Sequence, residues 1–221
     1  MLDERLVYLA AVLNVAGTTT YVIATVRGRT KPNRVTWFVW TIVPLVAFGA
    51  ELDEGVGTQA AMTLSFALGP ALILLASFVN SNANWQLTRL DLMCGALSLI
   101  AIGAWLATGH GTIAIALAIA ADALAALPTL IKSYRHPRTE SPWTYWVAAA
   151  CSVITLLTIN TWNLAHYGFP LYAFTICALI ASLITFRISD AHCANAEVSQ
   201  QPVISLGRQD QIVPRTRRQA S

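Results

Sequence analysis

Residues 111–135 read GTIAIALAIAADALAALPTLIKSYR. Between Ile113 and Ile131 the run is apolar apart from Asp122 and Thr129, and it closes on Lys132 and Arg135. A helix over such a stretch covers about 30 Å, the thickness of a bilayer's hydrocarbon core. Apolar runs of the same kind recur at about 6–26, 35–50, 59–80, 92–109, 143–161 and 168–187, with this one at 111–133. The whole chain of 221 residues is 56% hydrophobic and 11% charged, where soluble domains carry about a quarter charged residues. Its mean hydropathy is +0.57. These figures exclude an ordinary water-soluble domain and predict an all-α membrane protein with seven transmembrane helices. Met1-Leu2-Asp3-Glu4-Arg5 lacks the basic start of a secretory signal, so the first span is expected to persist as a helix.

The few charges are sorted by side. The loop after the first span holds Arg27, Arg29, Lys31 and Arg34, the third loop Arg89, and the fifth Lys132, Arg135 and Arg138. The tail adds Arg187, Arg208, Arg215, Arg217 and Arg218. In a seven-span arrangement thirteen of the fourteen basic residues therefore fall on one side. The other side has Arg5 alone, beside Asp3, Glu4, Glu51, Asp53 and Glu54. Basic loops stay in the cytoplasm, which predicts a multi-pass protein of the plasma (bacterial inner) membrane, N-terminus outside and C-terminus inside. Trp37, Trp85 and Trp143 fall near the basic ends and Tyr8, Trp105, Trp162 and Tyr167 near the others, as interfacial anchors do. From about Ser189 the sequence turns polar and is expected to form a disordered basic cytoplasmic tail, 189–221.

A shift of 108 positions superposes the first and fifth spans. Asn14 falls on Asp122, Thr20 on Pro128, Arg27 on Arg135 and Thr36-Trp37 on Thr144-Tyr145. A shift of 106 instead pairs Trp37-x-x-Trp40 with Trp143-x-x-Trp146, and the sequence does not choose between them. Both map spans one to three onto five to seven. The expected organisation is a three-helix repeat at 1–80, a linker helix at 81–110, and a second three-helix repeat at 111–188. An odd linker gives both halves the same orientation, a parallel repeat of the sort found in transporters.

Leu127-Pro128-Thr129-Leu130-Ile131-Lys132-Ser133-Tyr134-Arg135, then Pro137 and Glu140-Ser141, resembles the PQ-loop motif: a proline near a cytoplasmic helix end, a basic turn and a polar restart. Thr30-Lys31-Pro32-Asn33-Arg34-Val35-Thr36-Trp37 resembles the matching loop of small bacterial membrane proteins of this type. The three-plus-one-plus-three layout is similar to that of the SWEET sugar transporters. The resemblance covers about 6–187 and implies a transporter, with homo-oligomers as SWEET-like proteins often form. Thr20 stands where the first proline would fall and Thr129 where the glutamine would, so sugar specificity is not inherited.

Polar groups inside apolar spans mark functional sites by default. Asp122 is the only acid well inside a predicted span, and a carboxylate there is a candidate proton acceptor or a hydrogen-bonded tie between helices. Asn14, its repeat mate, can donate and accept. With Thr18, Trp40 and Trp146 these make the candidate substrate-binding set, and the helix-breaking Pro44, Pro128 and Pro142 the candidate gates. Cys94, Cys151, Cys177 and Cys193 lack CxxC spacing and read as packing residues, not a disulfide framework or zinc site.

The expected activity is transport of a small polar solute, sugar or amino-acid-like, by alternating access between the two bundles, with Asp122 available for proton coupling. A membrane receptor or partner-binding protein without transport is the alternative. Retinal attachment is disfavoured, since Lys31 and Lys132 both lie at helix ends. The histidines at 110, 136, 166 and 192 sit near the surfaces and pair with no deep serine or acid, so no enzyme, cofactor or metal site is expected. The expected partners are the solute and the bilayer, with no nucleic acid.

Overall fold

The computed structural model describes residues 2–80, 85–108 and 111–200. Its helices are α1 (Leu6–Val26), α2 (Arg34–Asp53), α3 (Ala60–Ala76), α4 (Arg89–Thr108), α5 (Gly111–Arg135), α6 (Pro142–Leu157) and α7 (Leu164–Gln200). Short 3-10 turns at Gly57–Gln59 and Pro137–Thr139 lead into α3 and α6. The described residues contain no strand. Among the described residues five helices are long and apolar enough to cross a membrane: α1, α2, α3 with its leading turn, α5 and α7. The surface agrees with a lipid environment, because Leu75, Val79 and Phe186 point outward while Asn14, Thr18 and Asp122 are buried.

Helix ends depart from the predicted spans where side chains compete for the backbone. Asn33 caps α2, its side chain accepting from the Val35 amide at 3.1 Å and donating to Asp91 of α4 at 2.7 Å. At its other end α2 runs past the predicted 50 to Asp53 and stops at Gly55, whose φ of +75° closes the helix in the left-handed conformation. This extension carries Glu51, expected among the charges of the outer side, into the packed interior. Thr63 of α3 donates to one of its carboxylate oxygens at 3.0 Å.

The sixth span was expected over 143–161, but α6 ends after 16 residues at Leu157. There the Thr158 hydroxyl turns back to the Thr155 carbonyl at 2.7 Å. Asn163 accepts from the His166 amide at 3.0 Å and opens α7 at Leu164, ahead of the predicted 168. α3 ends at Ala76, not 80, where the Arg34 guanidinium takes the Ser77 carbonyl at 2.6 Å. α7 continues to Gln200, beyond the predicted 187, through a segment containing the strong helix formers Ala191, Ala194 and Ala196. The rest of the expected tail, 201–221, lies outside the described residues.

α3 packs against both α1 and α2, and α7 against both α5 and α6. α1 meets α6, α2 meets α5, and α4 lies along α5 and α2. At the basic end the Lys31 amide donates to the Thr139 carbonyl at 3.0 Å, and Asn80 to the Val26 carbonyl at 2.9 Å. At the acidic end Asn160 donates to Glu4 at 2.5 Å, and Gln59 to the Thr158 carbonyl at 3.3 Å. Early and late parts of the chain are thus pinned together at both ends.

Small residues let helix backbones approach closely where apolar surface gives no preference for one neighbour over lipid. Gly17 of α1 faces α6 so tightly that a Cβ there would stand 2.7 Å from Val147 Cγ1. Gly17→Val is expected to cost about 1–3 kcal/mol through overpacking. It should lower the unfolding midpoint in detergent. Gly49→Ala, with nothing within 4 Å of the new Cβ, should not lower it.

Candidate functional site

A cavity of about 70 Å³ lies among α1, α2, α3, α5, α6 and α7, at the depth of Asn14 and Asp122. It is roomy enough for more than one water, which needs only about 10–15 Å³ on this measure. Asn14 Nδ2 donates to Ser65 Oγ of α3 at 3.0 Å. On the far side the Tyr172 hydroxyl of α7 donates to Asp122 Oδ2 at 2.7 Å. The Trp40 indole N–H of α2 reaches the Asp122 backbone carbonyl at 3.4 Å. Thr36 of α2 and Ser98 of α4 donate to the carbonyls of Ala125 and Ala121, at 3.0 and 2.7 Å. The α5 backbone around Asp122 is therefore held by side chains from two neighbouring helices. Pro44 and Pro70 also line the cavity, and each removes the amide that would bond the carbonyl one turn earlier.

Of the residues singled out in the sequence, Asn14, Thr18, Trp40, Pro44 and Asp122 converge on this cavity. Trp146, Pro128 and Pro142 do not line it. Trp146 is a correction: it is 43% exposed, with its indole N–H on Thr185 Oγ1 at 3.4 Å. One residue along a helix is a turn of about 100°, and it is Tyr145 that faces inward. Trp37, expected as an interfacial anchor, is 3% exposed and belongs to the wall. The shift of 108 pairs Trp37 with Tyr145, but the shift of 106 pairs it with Trp143, so the sequence offered a hint without a choice. Phe66 and Phe169 were missed, since an aromatic side chain in an apolar run carries no mark of which way it faces. All three hydroxyls of Thr18, Thr19 and Thr20 return to carbonyls of their own helix. His110 falls outside the described residues.

Toward the basic end the cavity gives way to a buried polar cluster. Lys132 Nζ of α5 stands 2.5 Å from Glu140 Oε1, with side-chain exposures of 1% and 0%. The ammonium also bonds the Lys31 carbonyl and lies 5.0 Å from the centre of the Trp85 ring. Glu140 Oε2 accepts from the hydroxyls of Tyr21 at 2.7 Å and Tyr145 at 3.1 Å. One carboxylate thus ties together α1, α5 and α6. Sequence reading took Glu140 only as the polar restart of a helix; the oppositely charged Lys132 across the turn was the available hint.

Trp37 Nε1 and Thr144 Oγ1 are buried beside the cavity without a protein hydrogen-bond partner. Among the described residues no three His, Cys, Asp or Glu side chains assemble as a metal would require. Cys94, Cys151 and Cys177 are free thiols, and Cys177 lines the cavity. No protein-family model, curated protein or solved structure matches the chain.

Removing one partner of a buried ion pair strands the other charge, at about 3–5 kcal/mol. Glu140→Ala is therefore expected to lower the unfolding midpoint strongly. The double variant Lys132→Met/Glu140→Leu should recover part of the loss, since it removes the stranded charge but leaves the Tyr21 and Tyr145 hydroxyls without their acceptor. Equal damage in the single and double variants would show that the charges are not what holds this end.

Proposed function

We propose that this chain is a carrier for a small polar solute, working by alternating access between α1–α3 and α5–α7 with α4 as the linker. The observation that carries the reading is the convergence of Asn14 and Asp122, from opposite halves of the sequence, on one mid-depth cavity. Each is bonded to the third helix of its own half, Asn14 to Ser65 and Asp122 to Tyr172. The two links are offset by 108 positions in one helix and 107 in the other, which supports a parallel repeat. The order of packing supports it too, with α3 against α1 and α2 as α7 is against α5 and α6.

In this reading the solute sits between the halves while one end stays shut. The Glu140 cluster seals the basic end, because Tyr21 and Lys132 come from different halves and share its carboxylate. Asn160 on Glu4 and Gln59 on the Thr158 carbonyl do the same at the acidic end. Pro44 and Pro70, at cavity height, are natural points of bending. Asp122, the acidic side chain of the cavity wall, is the group available for proton coupling.

The purified chain in proteoliposomes should move a radiolabelled small polar solute, and Asp122→Ala should cut the rate at least tenfold. Absence of flux for every solute class tried, with no proton movement, would overturn the carrier reading. The basic end faces the cytoplasm, so a fluorescent protein fused after Ser221 should glow in living bacteria and alkaline phosphatase fused there should be inactive. The opposite pair of results would reverse the orientation.

A further inference from the structure

Six aromatic rings and one acidic side chain line the cavity, and no Lys, Arg or His does so among the described residues. The rings form two groups. Trp37, Trp40 and Tyr145 stand with centroids 5.2 Å apart (Trp37 to Trp40) and 6.4 Å apart (each Trp to Tyr145). Phe169 lies 6.2 Å from Phe66 and 6.0 Å from Tyr172. The pairs are tilted or edge-on, not stacked in parallel. Ring faces carry negative potential and attract cations, most strongly where water is excluded.

Asp122 has no basic partner within 4 Å among the described residues, whereas Glu140 does. The directional groups of the wall are largely committed to the protein. Asn14 donates to Ser65, the Thr18 hydroxyl to the Asn14 carbonyl, the Tyr172 hydroxyl to Asp122 and the Tyr145 hydroxyl to Glu140. Among the fully buried wall atoms described, Trp37 Nε1 and Thr144 Oγ1 are without partners, and such fixed single groups are poorly matched to the many hydroxyls of a sugar. An amino acid's carboxylate would meet no cation. What the wall still offers is a negative charge and aromatic faces.

We infer that the solute is a small organic cation without a carboxylate, a quaternary or protonated amine held between the aromatic groups against Asp122. The inference rests on the carrier reading of the same cavity and goes beyond it by fixing the charge of the cargo. A cation there supplies the counter-charge that a carboxylate inside a membrane protein otherwise lacks.

Equilibrium binding to the full-length protein in detergent, by calorimetry, tests the inference. Choline should bind about tenfold or more tightly than its uncharged tert-butyl isostere, and more tightly than glycine betaine, which adds a carboxylate. Asp122→Asn, which keeps the size of the side chain, and Trp40→Leu should each weaken choline binding at least tenfold. Trp162→Leu, at the exposed acidic end, should leave it unchanged. The comparison of choline with its isostere is made on the unaltered protein and so stands even if a variant misfolds. Equal binding of the two, no binding of choline, or preferential binding of glucose would overturn the cation assignment. Flux of a neutral solute without choline binding would overturn that assignment and leave the carrier reading standing. Choline binding without flux of any solute would do the reverse.

Discussion

Hydrocarbon offers nothing for a polar group to bond, so every donor and acceptor taken into a bilayer must find its partner inside the protein. That constraint organises this chain. The hydroxyls of Thr18, Thr41, Ser152 and Thr155 return to carbonyls of their own helices. The groups that cannot be satisfied so cheaply bridge helices: Asn14 to Ser65, Thr36 to the Ala125 carbonyl, Tyr172 to Asp122. The bridges lie inward, while leucines such as Leu75 cover the outside. A polar axis inside an apolar sleeve follows from where bonds are obtainable.

The axis has two levels coupled through aromatic side chains. The Tyr145 ring lines the mid-depth cavity while its hydroxyl reaches Glu140 below. Tyr21 shares the same carboxylate oxygen, and its ring packs 5.1 Å from that of Trp37, another wall residue. The cavity floor is thus fastened to the buried ion pair. A movement that parts α1 from α6 at the basic end must separate the Tyr21 hydroxyl from the oxygen it shares with Tyr145, and it displaces the floor as it does so. Cavity floor and ion pair are mechanically one unit on this side, while the hydrogen bonds of the acidic end involve no residue of the cavity wall.

Much of the fold was legible because membrane helices announce themselves by length and hydropathy. α1 begins and ends where the sequence places it, and α5 differs only by continuing through Tyr134 and Arg135. The less regular boundaries were decided by hydrogen bonds between residues far apart in sequence or by local back-bonding. Arg34 on Ser77 and Asn33 on Asp91 are long-range examples, and Thr158 on Thr155 a local one. Glu51 shows the limit of counting hydropathy alone. Its charge argues for the surface, yet it is buried, with Thr63 bonded to one oxygen and the other, Oε2, without a protein partner.

By itself the sequence determined that this is a helical membrane-embedded chain and that its charges are divided between two ends. It also marked Asn14, Thr18, Trp40, Pro44 and Asp122, since polar, bulky or helix-breaking residues stand out against an apolar background. Tertiary structure alone decided which aromatic residues share their cavity, because Tyr145 and Trp146 differ only by a rotation about the helix axis. It alone joined Glu140 to Lys132, Tyr21 and Tyr145. A carboxylate in a connecting turn costs nothing in water and a great deal when buried, and only the packed neighbours reveal which of the two it is.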